Sequence, residues 1–399
     1  MPLSISRRAV GIAPSMTLKI DAQAKAMKAE GIDVIGFGAG EPDYDTPLFI
    51  RDAAKEALDK GMTRYTPVPG TVALRQAISD KLKRDNGLSY ALSEIIVSGG
   101  AKQSLYIAFQ TLLDAGDEVI IPTPCWVSYP EMVRMAGGVP VFVQTTEAQG
   151  FVPSTAQIEA VITKKTKAFM LTSPSNPNGA VFSIKALESL AALAVKNDFY
   201  VISDEIYEKL LYDGATHTAI ASLGDDIKAR TLLVNGVSKA YAMTGWRIGY
   251  TAGPKDVIEA MTNYQSQATS NPNAMAQHAS VAALNGDQGC VEEMRLMFEK
   301  RRDFMVERIN GIQGLSCVKP GGAFYIMMNI TQCLGRSFEG QSIPDSMAFA
   351  DVLLKEKHVA VVPGVAFEAE GYVRLSYAIS MEAISEGLDR IEAFVNALK

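Results

Sequence analysis

From Glu94 to Asn235 the chain alternates short, β-rich apolar runs with amphipathic helical stretches. The runs are Ile95-Ile96-Val97, Glu118-Val119-Ile120-Ile121, Val139-Pro140-Val141-Phe142-Val143, Ala168-Phe169-Met170-Leu171, Tyr200-Val201-Ile202-Ser203 and Thr231-Leu232-Leu233-Val234. Such alternation predicts an α/β fold layered around a mostly parallel sheet. Each run is followed by a loop bearing glycine or polar residues, and in open α/β sheets ligands collect outside the carboxyl ends of the strands. Ser98-Gly99-Gly100, Asn176, Asp204 and Lys239 are therefore expected to meet in one crevice. After about residue 275 the pattern shifts to a long charged helix carrying Glu292-Glu293-Met294-Arg295 and Lys300-Arg301-Arg302-Asp303. A smaller α/β unit follows, with strands at Ala323–Ile326, Val359–Val362 and Tyr372–Leu375 and a last helix from about Met381. No repeat or low-complexity linker interrupts this order.

With 399 residues, 48% hydrophobic and 21% charged, the chain is long enough for two domains with substantial cores. Lys plus Arg is 38 against 44 for Asp plus Glu, a net charge of −6. No global field then draws the protein to nucleic acid or an anionic membrane, and a small ligand is expected. The start, Met1 to Arg8, is not followed by an apolar run with a cleavage site, and no later segment approaches membrane-spanning length, so a cytoplasmic address is the expectation. Cys125, Cys290, Cys317 and Cys333 are scattered without a C-x-x-C pair, which favours reduced thiols over structural zinc. His217, His278 and His358 lie far apart in sequence, which gives little support to a histidine metal site or triad. The chemistry must rest on other groups.

The segment Gly236-Val237-Ser238-Lys239-Ala240-Tyr241-Ala242-Met243-Thr244-Gly245-Trp246-Arg247-Ile248-Gly249 offers those groups. A lysine holds an aldehyde as a Schiff base only when it is neutral and uncrowded, which the small neighbours Ser238 and Ala240 permit. Arg247, eight positions on, can grip a phosphate bidentately. Alone, the pair reads more simply as a solvated loop lysine and a salt-bridging arginine. Further landmarks follow in order: Ala39-Gly40-Glu41-Pro42-Asp43, Tyr65, Ser98-Gly99-Gly100-Ala101-Lys102, Trp126, Ser175-Asn176-Pro177-Asn178-Gly179, Asp204-Glu205-Ile206-Tyr207 and Arg374-Leu375-Ser376-Tyr377. With this series the sequence resembles, over nearly its whole length, the class I and II aminotransferases, which use pyridoxal 5'-phosphate on the fold-type I scaffold.

The resemblance implies an N-terminal arm and part of a small domain in residues 1–47, a three-layer large domain in 48–290, and the rest of the discontinuous small domain in 291–399. It makes Lys239 the catalytic amine and Asp204 the partner of the pyridine nitrogen. Tyr207 and Asn176 would donate to the ring oxygen, and Trp126 would stack on the ring. Gly100, Ala101, Lys102 and Arg247 would form a phosphate cup, completed by Tyr65 from the partner subunit of a homodimer. Read structurally, Asp204 is a strand-end cap, Asn176 a turn residue and Trp126 a core aromatic. Arg374 stands in a mostly apolar strand and needs an anion. The resemblance gives it the α-carboxylate of an amino acid, with Gly40, Trp126 and Asn176 beside the same substrate, and the alternative is an internal salt bridge. The implied reaction is ping-pong exchange of an amino group between amino acids and 2-oxo acids.

Within the family the series is most similar to the bacterial aspartate aminotransferases of the subgroup that includes prephenate users. No arginine lies between Arg247 and Arg295 to meet a side-chain carboxylate. Lys102, with Ser15 and Thr17 as hydroxyl partners, is expected to serve instead; otherwise Lys102 is a surface lysine of a first helical turn. Transfer from aspartate to 2-oxoglutarate is the expected activity. A prephenate, aromatic or broad-specificity aminotransferase, or another pyridoxal-phosphate reaction on the same scaffold, stands as the alternative. A silent regulator is disfavoured, because the landmarks begin near residue 40 and leave no room for an N-terminal DNA-binding domain.

Overall fold

The computed structural model describes residues 5–399; Met1 to Ser4, which carry part of the reading of the N-terminus, lie outside the described residues. A two-residue strand, β1 (Ile35–Gly36), precedes the central sheet. That sheet holds β2 (Ile95–Ser98), β3 (Glu118–Thr123), β4 (Val139–Gln144), β5 (Thr166–Thr172), β6 (Tyr200–Asp204), β7 (Thr231–Gly236) and β8 (Gly249–Ala252), in the order β2-β8-β7-β6-β5-β3-β4. All six runs read from the sequence are strands. Neighbours from β7 to β4 are parallel, whereas β8 runs antiparallel to both β2 and β7.

Strand β8 escaped the sequence reading because it is a four-residue return, Gly249-Tyr250-Thr251-Ala252, without an apolar run of its own. The inner strands β6 and β7 are almost wholly buried, as expected for a sheet covered on both faces. One covering layer includes the helix Ala101–Leu112, whose Leu105, Ala108, Phe109 and Leu112 pack with Ile96, Val119 and Met170. On the other side the helix Ile184–Asn197 packs Leu187, Leu190 and Ala194 against Ile120, Phe169 and Val201.

The C-terminal unit contains β9 (Tyr325–Asn329), the hairpin β10 (Ser337–Phe338) and β11 (Gln341–Ser342), then β12 (Val359–Ala360), β13 (Val362–Pro363) and β14 (Tyr372–Ser376). An antiparallel sheet runs β13-β14-β9. The single run Val359–Val362 therefore divides at Val361: β12 leaves to pair in parallel with β1, Ile35 beside Val359. The long charged helix also starts later than its pattern suggested. One helix, Ala274–Asn285, ends at Gly286, and the charged helix Gly289–Gly311 follows it. Ile35 and Phe37 share an apolar core with Phe298, Phe324, Tyr377 and Leu388. Among the described residues no helix is long and apolar enough to cross a membrane.

Candidate active site

The sequence-predicted residues Gly40, Ala101, Lys102, Trp126, Asn176 and Asp204 line one cavity of about 390 Å³, together with Thr17, Tyr207, Lys239, Arg247 and Arg374. Ser15 instead lines an adjoining cavity of about 760 Å³, which shares Lys102 and Arg247 with the first. Gly100 lies against Arg247 without lining either cavity, and Tyr65 is 91% exposed and lines neither.

Lys239 and Arg247 occupy the loop 237–248, whose ends are closed by the pairing of Gly236 with Gly249. The Lys239 ammonium donates to the carbonyl of Gly40. Burial pushes this amine down to about 8; Glu41 works against the shift, and the cations Arg247 and Arg374 add to it. Far more of this amine is then neutral near neutral pH than of an ordinary lysine, as a nucleophile or proton acceptor requires. The Gly40 loop is itself held by a bidentate pair, Arg301 to Asp43 at 2.7 and 2.9 Å.

Asp204 ends β6 and is buried. Its Oδ1 accepts from the Ile206 N–H at 3.2 Å, the small cap that a strand-end aspartate makes. Its Oδ2 accepts from the Tyr129 hydroxyl at 2.8 Å, and that hydroxyl accepts in turn from Thr172 Oγ1 at 2.8 Å. Thr172 and Asp204 are partners in the β5–β6 register, so the relay is built into the sheet. Burial pushes the Asp204 carboxyl up to about 6, while Tyr129 and Ile206 oppose the rise. No ion pair reaches Asp204 among the described residues, so a cationic N–H arriving in the cavity would meet a buried carboxylate that has hydrogen bonds but no cationic partner.

At the other end of the cavity, no side chain caps the helix Ala101–Leu112, and Gly100 before it has φ +94°. Arg247 bridges this turn and its own loop, donating to Gly99 O at 3.3 Å and Thr244 O at 2.8 Å. Backbone packing admits only glycine at 249, where a Cβ would stand 2.2 Å from the Ala101 nitrogen; at Gly100 the left-handed φ favours glycine, and a Cβ would also have to displace Arg247 Nη2, 2.2 Å away. An uncapped helix N-terminus beside an arginine with no carboxylate partner among the described residues is an anion seat.

Arg374 is 1% exposed on β14. Its Nη1 donates to Asn176 Oδ1 at 3.0 Å and its Nη2 to Gly38 O at 2.9 Å, while Nε is buried without a partner. The guanidinium lies 4.4 Å over the Tyr325 ring. Among the described residues it forms no ion pair, so the internal salt bridge that the sequence left open is not made and the charge awaits an anion from outside. Because Asn176 uses its carbonyl oxygen for Arg374, it has its amide N–H groups to offer a ligand. Tyr207 and Tyr325 join their hydroxyls at 2.9 Å.

Lys102, on the first helical turn, holds its amine 4.7 Å over the Trp126 ring. Burial, then Arg247, lowers its pKa. It forms no ion pair among the described residues, and Thr17 Oγ1 is buried without a hydrogen-bond partner in the same cavity. Ser15 is the N-cap of the helix Met16–Ala29, accepting from Leu18 N–H at 3.5 Å.

A buried carboxylate without a cationic partner, a lysine of lowered pKa, a glycine-lined anion seat and a buried guanidinium without an ion pair together suit a flat, phosphate-bearing aromatic aldehyde with an amino acid beside it. Sequence reasoning missed Tyr129, Thr172, Tyr325 and Gly38. Tyr129 stands three residues after Trp126 and meets it edge-on at 5.2 Å, but only the folded sheet shows what its hydroxyl reaches.

Comparison with known proteins agrees with this geometry. The family described as aminotransferase class I and II matches residues 32–391. An aspartate aminotransferase of Bacillus sp. (strain YM-2) is 49% identical over 391 residues, covering 98% of this chain and 99% of that protein. An aspartate/prephenate aminotransferase of Nitrosomonas europaea is 47% identical over 397 residues, with 99% and 100% covered. The crystal structure of the aspartate aminotransferase from Rhizobium meliloti superposes with a TM-score of 0.96 at 45% identity, covering 100% of both chains.

Proposed function

The chain belongs to the class I and II aminotransferases, and from that premise we propose that it is an aspartate aminotransferase that binds pyridoxal 5'-phosphate and passes the amino group of aspartate to 2-oxoglutarate. The observation that carries the substrate is the pair of cations Arg374 and Lys102, which line one cavity and have no carboxylate partner among the described residues. A dicarboxylic amino acid brings two anions to such a pair.

In this reading Arg247 and the N–H groups at Ala101 and Lys102 hold the phosphate, Asp204 the ring nitrogen, and Tyr207 and Asn176 the ring oxygen. Trp126 covers the ring. When bound, the cofactor supplies an electron sink for the negative charge that develops at the substrate Cα. Arg374 takes the α-carboxylate through its guanidinium N–H groups, including the unpartnered Nε. Lys239 Nζ, once free, removes the Cα proton and redelivers it, and its lowered pKa suits that exchange near neutral pH. Asp204 stays ionised against the ring N–H, helped by the Tyr129 hydroxyl. A 2-oxo acid leaves, and a second 2-oxo acid enters and runs the same steps in reverse.

The adjoining cavity of about 760 Å³, with Ile12, Met16, Val127 and Met132 in its lining, supports prephenate as a second acceptor, since a ring-bearing acid needs apolar space past Lys102. A homodimer is supported by Tyr65, which stands 91% exposed in this chain although its motif belongs with the phosphate cup. Four free cysteines accord with a reducing cytoplasm.

The test is a panel of amino donors with 2-oxoglutarate, run alongside sedimentation at the assay concentration. Aspartate should lead with 2-oxoglutarate, and glutamate should lead when oxaloacetate replaces 2-oxoglutarate as acceptor, in both cases from a dimer. A preference for aromatic or neutral donors would remove the aspartate assignment, and an active monomer would remove the shared site.

A further inference from the structure

Behind Asp204, on the side away from the cavity, lies a buried ionic cluster that the proposed reaction does not use. Glu205 follows Asp204 at the end of β6 and is 1% exposed; Glu208 is 8% exposed, and Lys81, from the helix Val72–Asn86, 2%. Lys81 pairs with Glu208 Oε1 and donates to Asn86 Oδ1 at 2.8 Å, while Asn86 Nδ2 donates to Glu208 Oε2 at 3.0 Å. Lys81 and Asn86 thus occupy both oxygens of Glu208. Glu205 is left with Ser203 Oγ on Oε1 at 2.9 Å and His217 Nε2 on Oε2 at 2.8 Å.

The charges balance only if His217 is a cation. Lys81 and His217 then offset Glu205 and Glu208, whereas a neutral imidazole leaves one buried negative charge over, an expensive arrangement. Burial pulls the imidazole down, yet Glu205 and Glu208 outweigh it and raise its pKa. The other groups facing the cluster do not change the sum. Tyr250 of β8, Tyr90 before β2 and Tyr241 after β7 are phenols held neutral by burial, and at the margin Lys209 pairs with Asp85 at 2.8 Å. Glu205 also acts on its neighbour, since its charge pushes the Asp204 carboxyl toward the protonated form.

We propose that His217 is a positioning residue for the turn Asp204–Tyr207. As the one cation paired with Glu205 among the described residues, it offsets the carboxylate behind Asp204 and so keeps Asp204 able to hold the ring nitrogen of the cofactor. The inference rests on the proposed use of pyridoxal phosphate. Its test is titration of the purified apoenzyme with pyridoxal phosphate, followed by fluorescence across pH 5 to 8.

His217→Gln keeps a donor and removes the charge; it should move the acid limb of binding upward by about one unit and weaken binding at the limb roughly tenfold. Glu205→Gln should move the limb downward. The double variant, neutral at both positions, should return it to near the wild-type pH. A merely structural contact predicts no such opposition, and the double variant would then be the worst of the three. An unmoved limb in both single variants, or no recovery in the double, overturns the proposal. If His217→Gln does not fold, Glu205→Gln alone decides by the direction of its shift. Should the wild-type apoenzyme fail to bind pyridoxal phosphate, the functional reading fails first.

Discussion

Replacing Lys102 by alanine should separate substrate recognition from folding, because the first effect is expected to be large and the second close to zero. Lys102 sits at the N-terminal end of a helix, where a cation opposes the helix dipole by about 0.3–1 kcal/mol, and alanine is the better helix former. It has no carboxylate partner among the described residues, so its removal strands no buried charge there. Against these gains stands the cation lying 4.7 Å over Trp126, an attraction worth about 0.5–1 kcal/mol at a partly exposed position. These contributions nearly cancel, and the melting temperature of Lys102→Ala should stay within about 2 °C of the wild type.

Catalysis with a dicarboxylic donor should respond very differently. Loss of a charged hydrogen bond to the distal carboxylate removes about 1.5–3 kcal/mol, or roughly 10- to 100-fold in kcat/KM for aspartate. Alanine and phenylalanine carry no distal carboxylate and should be affected far less. The decisive quantity is the ratio of aspartate to alanine kcat/KM, measured beside a thermal melt of the same preparation. An unchanged ratio would show that Lys102 is not the cation in question. An equal fall for every donor would place the damage in the phosphate seat, whose turn Lys102 shares.

Three further outcomes are expected. Lys239→Ala should lower turnover by at least roughly 10²- to 10⁴-fold while pyridoxal phosphate still binds, now removable by dialysis; full activity in that variant would displace Lys239 from the chemistry. Tyr129→Phe withdraws the donor to Asp204 Oδ2, so the carboxyl should rise above its present value of about 6 and apoenzyme affinity for pyridoxal phosphate should fall near neutral pH; an unchanged affinity and pH profile would make the relay idle. Burial alone would raise the Glu208 carboxyl, but Lys81 and His217 hold it down at about 2, so its contribution to stability is full above about pH 4.5 and fades as pH falls from there toward 2. His217, whose pKa is raised, contributes below its ordinary value near 6.5 and loses that contribution as pH rises through the folded value. Urea midpoints measured against pH should show the acid-side loss shrink in Glu208→Gln.

Much of the fold could be read from the chain because its parallel strands are long, apolar and separated by helices, a pattern that survives without tertiary knowledge. The features that escaped are those set by pairing. β8 is no shorter than β2 but lacks its apolar run and exists because β2 and β7 flank it, and the run Val359–Val362 divides because two different sheets claim its halves. The candidate site divides in the same way. Lys239, Asp204, Arg247 and Arg374 are chemically unusual in their local context, whereas Tyr129, Thr172 and Tyr325 look like ordinary core residues until the register sets Thr172 beside Asp204 and Tyr325 opposite Ser376. Sequence suggested a hydroxyl role for Ser15, and the fold adds a helix-capping one: its oxygen accepts from Leu18 N–H at 3.5 Å, which leaves the O–H to donate.

The pairing of Gly236 with Gly249 pins both ends of the segment carrying Lys239 and Arg247 to adjacent strands. Their spacing is consequently a matter of chain length within a closed ring, to which the N-terminal segment is tied through Gly40, Glu41 and Thr46. Inserting or deleting even one residue between 237 and 248 cannot be absorbed by sliding β8, because Gly249 has no clearance from Ala101 and a one-residue slip would turn the strand's side chains to the opposite face. Length variation should therefore be forbidden in this ring and tolerated in open surface turns such as the one around Gly340. A library of single-residue insertions scored for growth or activity would map that boundary directly, and would mark the ring as the part of the chain to leave untouched when grafting new specificity onto the scaffold.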